Sequence, residues 1–386
     1  GAVTQPFGVY VHVPFCAARC DYCDFATWTD RAHLIDEYVD ACVRDIERRA
    51  LPLATSVFFG GGTPSLIDAH LLARILDAID RAPGAEVTVE CNPDSVDAAK
   101  FATYAAAGVN RVSLGVQSMR AHVLLELGRT HDPANVARAV DAARGAGIER
   151  LNLDLIYGTP GERPADWAAT LDAALALEPT HVSAYALTVE PGTPLGQAVA
   201  AGERAAPDDD RQAAAYEFAD DRFAGAGLEW YEISNWAVPG EECRHNLLYW
   251  EGGEYAGIGC AAHGHTRDRA TGGSRRWWNV RTPERYIAAV AAGDSVEAAD
   301  DCLDASLAAG ERLMLALRTR AGIKLEGPDA DLPEVHQCIQ DLDAAGLVAC
   351  DGTHVVLTRR GRLLANEVGA RVLGAHERAA DAAGTR

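Results

Sequence analysis

Residues 8–25 read GVYVHVPFCAARCDYCDF. The apolar run Val9–Val13 leads into one loop that carries Cys16, Cys20 and Cys23. Three thiolates at C-x3-C-x2-C spacing can hold three irons of a cubane iron–sulfur cluster, for which ferredoxins supply four cysteines. The alternatives are three unrelated thiols or a zinc loop, but structural zinc sites usually draw four ligands from two pairs, and no second C-x2-C pair follows. The spacing therefore predicts a [4Fe–4S] cluster whose fourth iron is open to a substrate or cofactor.

Strand-like and helix-like patterns alternate along the first half of the chain. The predicted strands are the six segments Val9–Val13, Ser56–Phe59, Glu86–Cys91, Arg111–Gln117, Arg150–Tyr157 and His181–Val189. Alternation of this kind indicates parallel strands joined by right-handed crossovers, and six units are too few to close an eight-stranded barrel. The sequence therefore predicts an α/β fold built on an open, partial (β/α)6 TIM-like barrel.

Residues suited to binding a ligand follow these strands one by one. They are the three cysteines after the first strand, GGGTP at Gly60–Pro64 after the second, Glu90, Gln117 and Asp154 at or near the ends of the next three, and Tyr185–Leu187 near the end of the sixth. Active residues of such barrels lie at the C-terminal ends of the strands. The shared placement predicts one site, although Glu90 and Gln117 can also be read as ordinary strand-end polar residues.

The second half of the chain has a different pattern. Its predicted elements are a strand at Leu228–Ile233, helical segments at Ala305–Arg318 and Leu332–Ala345, a hairpin turning at Asp351–Gly352, and a last helix from Arg359. Two helices followed by a hairpin resemble a winged-helix-like module of α+β type. We predict a barrel over residues 1–240, an extension of the core over 241–295 and a smaller C-terminal domain over 296–386.

The chain of 386 residues has a formal net charge of −21, which argues against nucleic acid as a partner because that binding needs basic surface. The sequence contains no apolar run of about 18 residues, the length that a membrane span needs. The N-terminal GAVTQPFG lacks signal-peptide features. Ten cysteines without such a signal indicate a reducing compartment. We expect a cytoplasmic protein that meets a membrane only through a partner. Five scattered cysteines are expected to be small buried hydrophobic residues, namely Cys42, Cys91, Cys302, Cys338 and Cys350.

Six motifs together resemble the oxygen-independent coproporphyrinogen-oxidase-like branch of the radical S-adenosylmethionine (SAM) proteins. They are YVHVPFCAARCDYCDF, GGGTPS, ECNPD, GVQS, LGRTH and NLDLIYGTPG. The resemblance implies that Cys16, Cys20 and Cys23 bind a [4Fe–4S] cluster whose open iron chelates SAM. It further implies SAM contacts from Tyr10, Tyr22, Gly61, Gly62, Thr63, Glu90, Gln117, Arg129, Asp154 and Ala186.

Two features distinguish members of that branch. The oxidases carry a further cysteine where this chain has Phe25, and residues 245–250 read HNLLYW, which resembles the HNxxYW motif of HemW-type heme chaperones. A histidine beside aromatic side chains offers an imidazole for iron and a flat apolar surface for the macrocycle. The resemblance implies a heme site, whose residues are His245, Asn246, Tyr249 and Trp250. Cys243 is an alternative axial ligand, and a hydrogen-bonded packing role is the alternative for His245.

We therefore expect a heme chaperone that binds heme, SAM and a [4Fe–4S] cluster and delivers heme to apoproteins such as respiratory-chain enzymes. In this interpretation the cluster supports dimerisation or regulates transfer, so a homodimer is one expected assembly. The main alternative is a coproporphyrinogen III dehydrogenase that converts two propionate side chains to vinyl groups by radical chemistry. A radical SAM enzyme acting on another tetrapyrrole is a third. Fold analogy cannot separate the three, but Phe25 and HNLLYW favour the chaperone.

Overall fold

The structure is a computed structural model that describes residues 5–384. Residues 1–4, part of the N-terminal segment that lacks signal-peptide features, lie outside the described residues. The six predicted strands are confirmed and pair in parallel in chain order. They are β1 (Phe7–Val13), β2 (Ala54–Gly61), β3 (Arg81–Cys91), β4 (Arg111–Gln117), β5 (Arg150–Tyr157) and β6 (His181–Ala186). The predicted partial (β/α) barrel is therefore present.

Six further strands extend this sheet at both ends. They are β7 (Glu229–Glu232), β8 (Asn235–Ala237), β9 (Glu254–Ile258), β10 (His263–Arg267), β11 (Ser274–Asn279) and β12 (Glu297–Leu303). The strand order is β12-β11-β10-β9-β1-β2-β3-β4-β5-β6-β8-β7. Only β7 was predicted from the sequence. The others lack a run of apolar residues and include charged, polar or small residues, so apolar periodicity does not mark them, and pairing with the edges of the barrel sheet stabilises them.

Ten helices of the described chain pack on or beside this sheet. They are α1 (Ile35–Arg49), α2 (Ala69–Asp77), α3 (Ala98–Ala107), α4 (Ala121–Glu126), α5 (Ala134–Gly145), α6 (Pro164–Leu175), α7 (Pro194–Ala200), α8 (Asp209–Gly225), α9 (Arg244–Trp250) and α10 (Pro283–Ala292). Several begin at a residue whose side chain accepts a backbone N–H, as Asp97 does from Lys100 and Asp208 from Arg211. Such N-caps satisfy donors that the first helical turn leaves free.

The barrel strands have an apolar outer face and a polar inner face. Side chains alternate between the two faces of a strand, and on β1 the buried residues Val9 and Val11 belong to the main hydrophobic core, whereas Tyr10 lines an inner cavity. The same alternation on β4 buries Val112 in the core and turns Ser113 inward. The sheet therefore holds helices on one side and leaves its other side free for a site.

The C-terminal part confirms the predicted α+β module. Its elements are α11 (Ala305–Ala316), β13 (Ile323–Lys324), α12 (Pro333–Ala344), β14 (Val348–Asp351), β15 (His354–Leu357), α13 (Arg359–Leu363) and α14 (Ala365–Gly384). The three strands form a separate sheet in the order β13-β15-β14, and the module has its own hydrophobic core. The predicted domain boundaries stay predictions. Strand β12, which begins at Glu297, pairs with β11 in the large sheet.

The exposure of the scattered cysteines agrees only in part with the prediction. Cys42 and Cys91 are buried as expected, but Cys302 and Cys350 are exposed and Cys338 is half-buried. The expectation was wrong for the exposed pair because both cysteines lie on largely solvent-facing edge strands, β12 and β14. No helix within the described residues is both long and apolar enough to cross a membrane.

Candidate functional site

The cysteine loop, residues 14–28, leaves the C-terminal end of β1 and is held at both of its ends. The backbone N–H of Trp28 donates to the carbonyl of Pro14 at 2.8 Å, and that of Cys16 donates to the carbonyl of Trp28 at 3.0 Å. The N–H of Thr63 donates to the carbonyl of Phe15 at 2.9 Å. The three thiols are thus presented from one loop that is joined to the glycine-rich turn after β2.

The surroundings of the thiols fit an iron–sulfur cluster. Cys16 Sγ lies 3.6 Å from Thr63 Oγ1, and Arg129 Nη1 lies 3.7 Å from Cys20 Sγ. Burial raises the pKa of Cys16 and of Cys23, so bound iron is needed to keep these groups as thiolates. When bound, the cluster supplies an open coordination position. Within the described part of the chain, no three His, Cys, Asp or Glu side chains are grouped so as to hold a single metal ion.

The glycine-rich turn needs glycine because the cysteine loop lies against it. A Cβ on Gly62 would lie 2.7 Å from the carbonyl oxygen of Phe15 and 2.9 Å from Cys16 Sγ, closer than these atoms can approach. Gly61 has a φ of 120°, a conformation that favours glycine, and its N–H donates to Glu90 Oε2 at 3.3 Å. The turn therefore connects the cysteine loop to the inner face of the barrel.

Two carboxyl groups lie on that inner face, at Glu90 and Asp154. Burial, together with the charge of Asp154, raises the pKa of Glu90 to about 8, although the Gly61 N–H opposes the shift. Burial also raises the pKa of Asp154, against hydrogen bonds from Ser113 Oγ at 2.6 Å and Asn152 Nδ2 at 2.8 Å. At neutral pH, Glu90 is therefore largely protonated while Asp154 is held by two donors.

Gln117 and Arg129 meet at the C-terminal end of β4. Gln117 has a φ of 63°, which is uncommon for a residue with a side chain and often marks a functional position. Arg129 Nη2 donates to the carbonyl of Gly115 at 2.7 Å, and a Cβ on Gly115 would lie 3.3 Å from both Arg129 Nη2 and Gln117 Nε2. Arg129 thus joins β4 to the cysteine loop, because its other terminal nitrogen faces Cys20.

Two further predicted SAM contacts are Tyr22 in the cysteine loop and Ala186 on β6. Tyr22 is half-buried against a small apolar cluster that includes Leu187 and Leu195. The N–H of Leu195 donates to the carbonyl of Asp21 at 2.9 Å. Ala186 is half-buried and is the last residue of β6. The SAM contacts inferred for these two residues stay predictions.

An inner cavity of about 120 Å³ joins residues of the two predicted ligand sets. Tyr10, Glu90 and Asp154 from the SAM set and His245, Asn246 and Tyr249 from the heme set all line it. Most of the lining residues carry a polar side chain, and the wall also includes Phe58, Arg111, Ser113, Asn152, His181, Ser183, Tyr185, Asn235 and Cys243. Helix α9 therefore brings part of the HNLLYW segment to the same cavity as three of the predicted SAM contacts.

His245 is enclosed, with 1 % of its surface exposed. Its Nδ1 lies 2.8 Å from Ser56 Oγ, and its Nε2 lies 2.7 Å from the hydroxyl of Tyr249. The ring stacks on Phe58 with centroids 5.4 Å apart. Burial lowers the pKa of His245 to about 4, so the imidazole is neutral at physiological pH, the form in which histidine binds metals.

Trp250 and Cys243, two other predicted candidates for the heme site, differ from His245. Trp250 does not line the cavity. Its ring lies under the guanidinium of Arg318, 4.9 Å from the centroid, and faces the C-terminal module. Cys243 Sγ lies at the cavity wall, 3.5 Å from Glu86 Oε1. Burial raises the pKa of Cys243 to about 12, which disfavours the thiolate that axial ligation would require.

Most of the polar cavity wall was not predicted from the sequence. Asn152 forms hydrogen bonds with four neighbours, Ser113, Asp154, His181 and Ser183. His181 Nε2 lies 2.7 Å from the hydroxyl of Tyr231. A signal was present, because polar residues recur at every second position of otherwise apolar strands. The pairs Arg111 and Ser113 on β4, Asn152 and Asp154 on β5, and His181 and Ser183 on β6 show this pattern.

Comparison with known proteins identifies the family. The Radical SAM superfamily matches residues 10–174, and the HemN C-terminal domain matches residues 304–364. A Mycobacterium tuberculosis protein named heme chaperone HemW is 45% identical over 96% of this chain and 95% of its own length. A Bacillus subtilis protein of the same name is 33% identical over 95% of this chain and 98% of its own. The chain belongs to the HemW family.

This HemW-family protein also has the fold of a solved relative. The structure described as coproporphyrinogen III oxidase (HemN) from Escherichia coli, a radical SAM enzyme, superposes with a TM-score of 0.81 over 95% of this chain and 90% of that one. The sequences are 21% identical, so this likeness shows the fold alone. The radical SAM superfamily implies SAM and a [4Fe–4S] cluster, which the cysteine loop of the HemW-family chain fits.

Proposed function

We propose that this protein carries heme and delivers it to apoproteins such as respiratory-chain enzymes, with a SAM-ligated [4Fe–4S] cluster held by Cys16, Cys20 and Cys23. The observation that carries the proposal is the position of α9. Its residues His245, Asn246 and Tyr249 line the cavity that also contains predicted SAM contacts, in a chain that is 45% identical to a protein named heme chaperone HemW.

The hydrogen bonds of His245 support iron ligation through Nε2. Metal-binding histidines usually hold their second ring nitrogen in a hydrogen bond that orients the ring, and Ser56 Oγ supplies this contact at Nδ1. The partner of Nε2 is the hydroxyl of Tyr249, a neutral group on the same helix. Heme iron would replace that hydroxyl while Ser56 keeps the ring in place.

The cavity is too small to enclose a tetrapyrrole ring. A volume of about 120 Å³ corresponds to roughly four water molecules at about 30 Å³ each, whereas ligand pockets for whole organic cofactors span about 300–1,000 Å³. Because heme iron lies at the centre of the ring, its ligation by the buried Nε2 of His245 requires the cavity to widen around Tyr249. Tyr185, which lines the cavity and is 44% exposed, offers an aromatic surface to the ring.

The remaining parts of the proposal concern cofactors and partners. We infer that Tyr10, Gly61, Gly62, Thr63, Glu90, Gln117, Arg129 and Asp154 surround SAM, with Tyr22 and Ala186 beside its methionine and adenine. The cluster then supports dimerisation or controls transfer rather than porphyrin oxidation. A homodimer, a cytoplasmic location and membrane contact only through a partner stay predictions.

The test uses anaerobically reconstituted protein divided in two. One half is titrated with heme and followed by its Soret absorbance. The other half receives SAM, a reductant and coproporphyrinogen III, and the products are separated by chromatography. Stoichiometric heme binding without protoporphyrinogen supports the carrier. Vinyl product and 5′-deoxyadenosine at catalytic turnover would overturn it in favour of the dehydrogenase.

A variant tests the heme ligand. His245→Ala is expected to weaken heme binding and to leave the absorbance of the cluster unchanged. His263→Ala is the matched control, because His263 is exposed on β10 and lies outside the residues that line the cavity. Equal heme affinity in His245→Ala and in the wild type would remove His245 as the ligand.

A further inference from the structure

Arg111 is a buried cation without a bound anion. Arg111 is 2 % exposed and lies on the inner face of β4, where it lines the inner cavity. Within residues 5–384 its guanidinium forms no ion pair and no side-chain hydrogen bond, although it carries five N–H donors. Buried arginines are rare unless they are paired. An unpartnered guanidinium that faces a cavity therefore points to a ligand.

The neighbouring carboxylates are bound by other groups. Glu86 pairs with Arg150 at 3.0 Å and accepts the backbone N–H groups of Arg244 and His245, each at 3.1 Å. Asp154 accepts hydrogen bonds from Ser113 and Asn152, as described above. Arg111 therefore interacts electrostatically with both carboxylates but forms an ion pair with neither of these described residues.

The adjacent strand provides a direct comparison. Arg150 is the register partner of Arg111 on β5. Its guanidinium contacts Glu86 and also Glu241, the latter at 2.7 Å, and it does not line the cavity. Two arginines thus lie side by side on neighbouring strands, and one is fully paired within the protein while the other faces the cavity.

We propose that Arg111 binds a ligand carboxylate inside the inner cavity. The planar fork of a guanidinium matches a carboxylate with two parallel hydrogen bonds, and a space of about 120 Å³ takes a propionate arm but not a tetrapyrrole ring. The identity of the ligand rests on the proposed function, which offers two kinds of carboxylate. One is a heme propionate, and the other is the carboxylate of the methionyl group of SAM. We assign the propionate, because Arg129 at the cysteine loop already suits the methionyl group.

The experiment compares ligands with and without the carboxylate. Heme and heme dimethyl ester are titrated against wild-type protein in the same detergent-containing buffer, and SAM and decarboxylated SAM are compared by equilibrium dialysis. The variants are Arg111→Gln, Arg111→Lys and the matched control Arg150→Gln, which also removes a cation beside Glu86. Thermal unfolding of each variant, with free propionate or propionamide, reports folding and carboxylate binding without heme.

The wild type is expected to bind heme about tenfold or more tightly than the diester, as hydrogen bonds between charged groups require. Arg111→Gln is expected to lose this preference and the stabilisation by propionate, whereas Arg150→Gln keeps both. If Arg111→Gln instead loses only the preference for SAM over decarboxylated SAM, the carboxylate site stands and the propionate assignment is overturned. Unchanged preferences for both ligands in Arg111→Gln would overturn the proposal. If that variant does not fold, equal wild-type affinity for heme and its diester and for SAM and decarboxylated SAM would overturn it.

The same measurements distinguish a failure of the proposed heme-carrier function from a failure of carboxylate binding at Arg111. A wild-type protein that binds neither heme nor its diester contradicts the carrier. The propionate and SAM measurements would then still decide whether Arg111 binds a carboxylate.

Discussion

The Nε2 atom of His245 lies 2.7 Å from the hydroxyl oxygen of Tyr249, four residues further along α9. If heme iron takes the place of that hydroxyl, the contact opposes binding in the heme-free protein. Tyr249→Phe removes the hydroxyl and keeps the ring. We expect heme affinity to rise about two- to tenfold, which corresponds to one hydrogen bond of about 0.5–1.5 kcal/mol. Soret titration measures the heme affinity.

Tyr255→Phe is the control, because the ring of Tyr255 packs 4.7 Å from that of Tyr249 without bonding to His245. Weaker heme binding in Tyr249→Phe would contradict ligation through Nε2.

Gly62→Ala tests the contact between the glycine-rich turn and the cysteine loop. The added methyl group would meet the carbonyl of Phe15 and Cys16 Sγ, so Cys16 must move. We expect iron retention about 10- to 100-fold weaker, the range seen when groups supporting metal ligands are disturbed. Iron and sulfide per chain are measured after anaerobic reconstitution and chelator challenge. Gly145→Ala on α5 is the control, because its added Cβ meets nothing within 4 Å. Equal iron in all three proteins would place the cluster elsewhere.

Glu90→Gln tests the buried carboxyl group through the pH dependence of stability. Folded Glu90 keeps its proton up to a pKa of about 8, whereas the unfolded chain loses it near the ordinary value of 4.5. Between these values the folded state binds more protons, so ionisation of Glu90 lowers the free energy of unfolding as pH rises. Glu90→Gln should therefore be more stable relative to the wild type near pH 8 than near pH 5, by roughly 1–3 kcal/mol.

Urea unfolding at the two pH values measures this difference. Glu86→Gln is the control, because the contribution of Glu86 to stability depends on pH with the opposite sign. Burial raises the pKa of Glu86, but Arg111 and Arg150 outweigh burial and hold it below its ordinary value. Ionised Glu86 therefore stabilises the fold at neutral pH, and this contribution is lost as the pH falls through its folded pKa. A stability difference for Glu90→Gln that does not change with pH would show that Glu90 titrates normally.

Arg129→Lys tests the inferred SAM contact. Lysine keeps the charge but loses the planar fork that pairs with a carboxylate. We expect about tenfold weaker SAM binding, as the loss of one charged hydrogen bond gives, with heme binding unchanged. Equilibrium dialysis measures the former and Soret titration the latter. Arg120→Lys is the control, because the Arg120 side chain is 45% exposed and pairs with Asp166 away from the thiols. Unchanged SAM affinity in Arg129→Lys would remove Arg129 from the SAM site.

Asp220→Ala tests how the C-terminal module is attached to the barrel. Asp220 on α8 accepts from Arg362 Nη2 at 2.7 Å and from Trp236 Nε1 at 2.8 Å. Removing the carboxylate leaves Arg362 buried without its anion, so we expect a loss of about 2–4 kcal/mol. Urea unfolding measures it. The neighbouring Asp221→Ala is the control, since Asp221 is 70% exposed and pairs at the surface with Arg359, and it should change stability by less than about 1 kcal/mol. Equal effects would mean that the buried pair contributes no more than a surface pair.

The elements and residues that were predicted from the sequence are the ones that local patterns mark. Strands β1 to β6 were predicted because apolar residues run or alternate along each of them between helical segments, and the C-terminal hairpin was predicted because Asp351–Gly352 separates two short strand patterns. The cysteines, the glycine-rich turn and Arg129 were found by spacing and motif, and the structure places them together at the ends of β1, β2 and β4.

The sequence by itself determined the partial barrel, the C-terminal module and the family, since periodicity and short motifs are local properties of the chain. The tertiary structure decided what residues far apart in the chain do together. It placed His245 against Ser56 and Tyr249 inside the barrel, turned Trp250 towards Arg318, and paired Arg150 with Glu86 while Arg111 faces a cavity. These relationships depend on strand register and on how α9 packs across the inner face. Both arise from long-range contacts between parts of the chain that no local pattern joins.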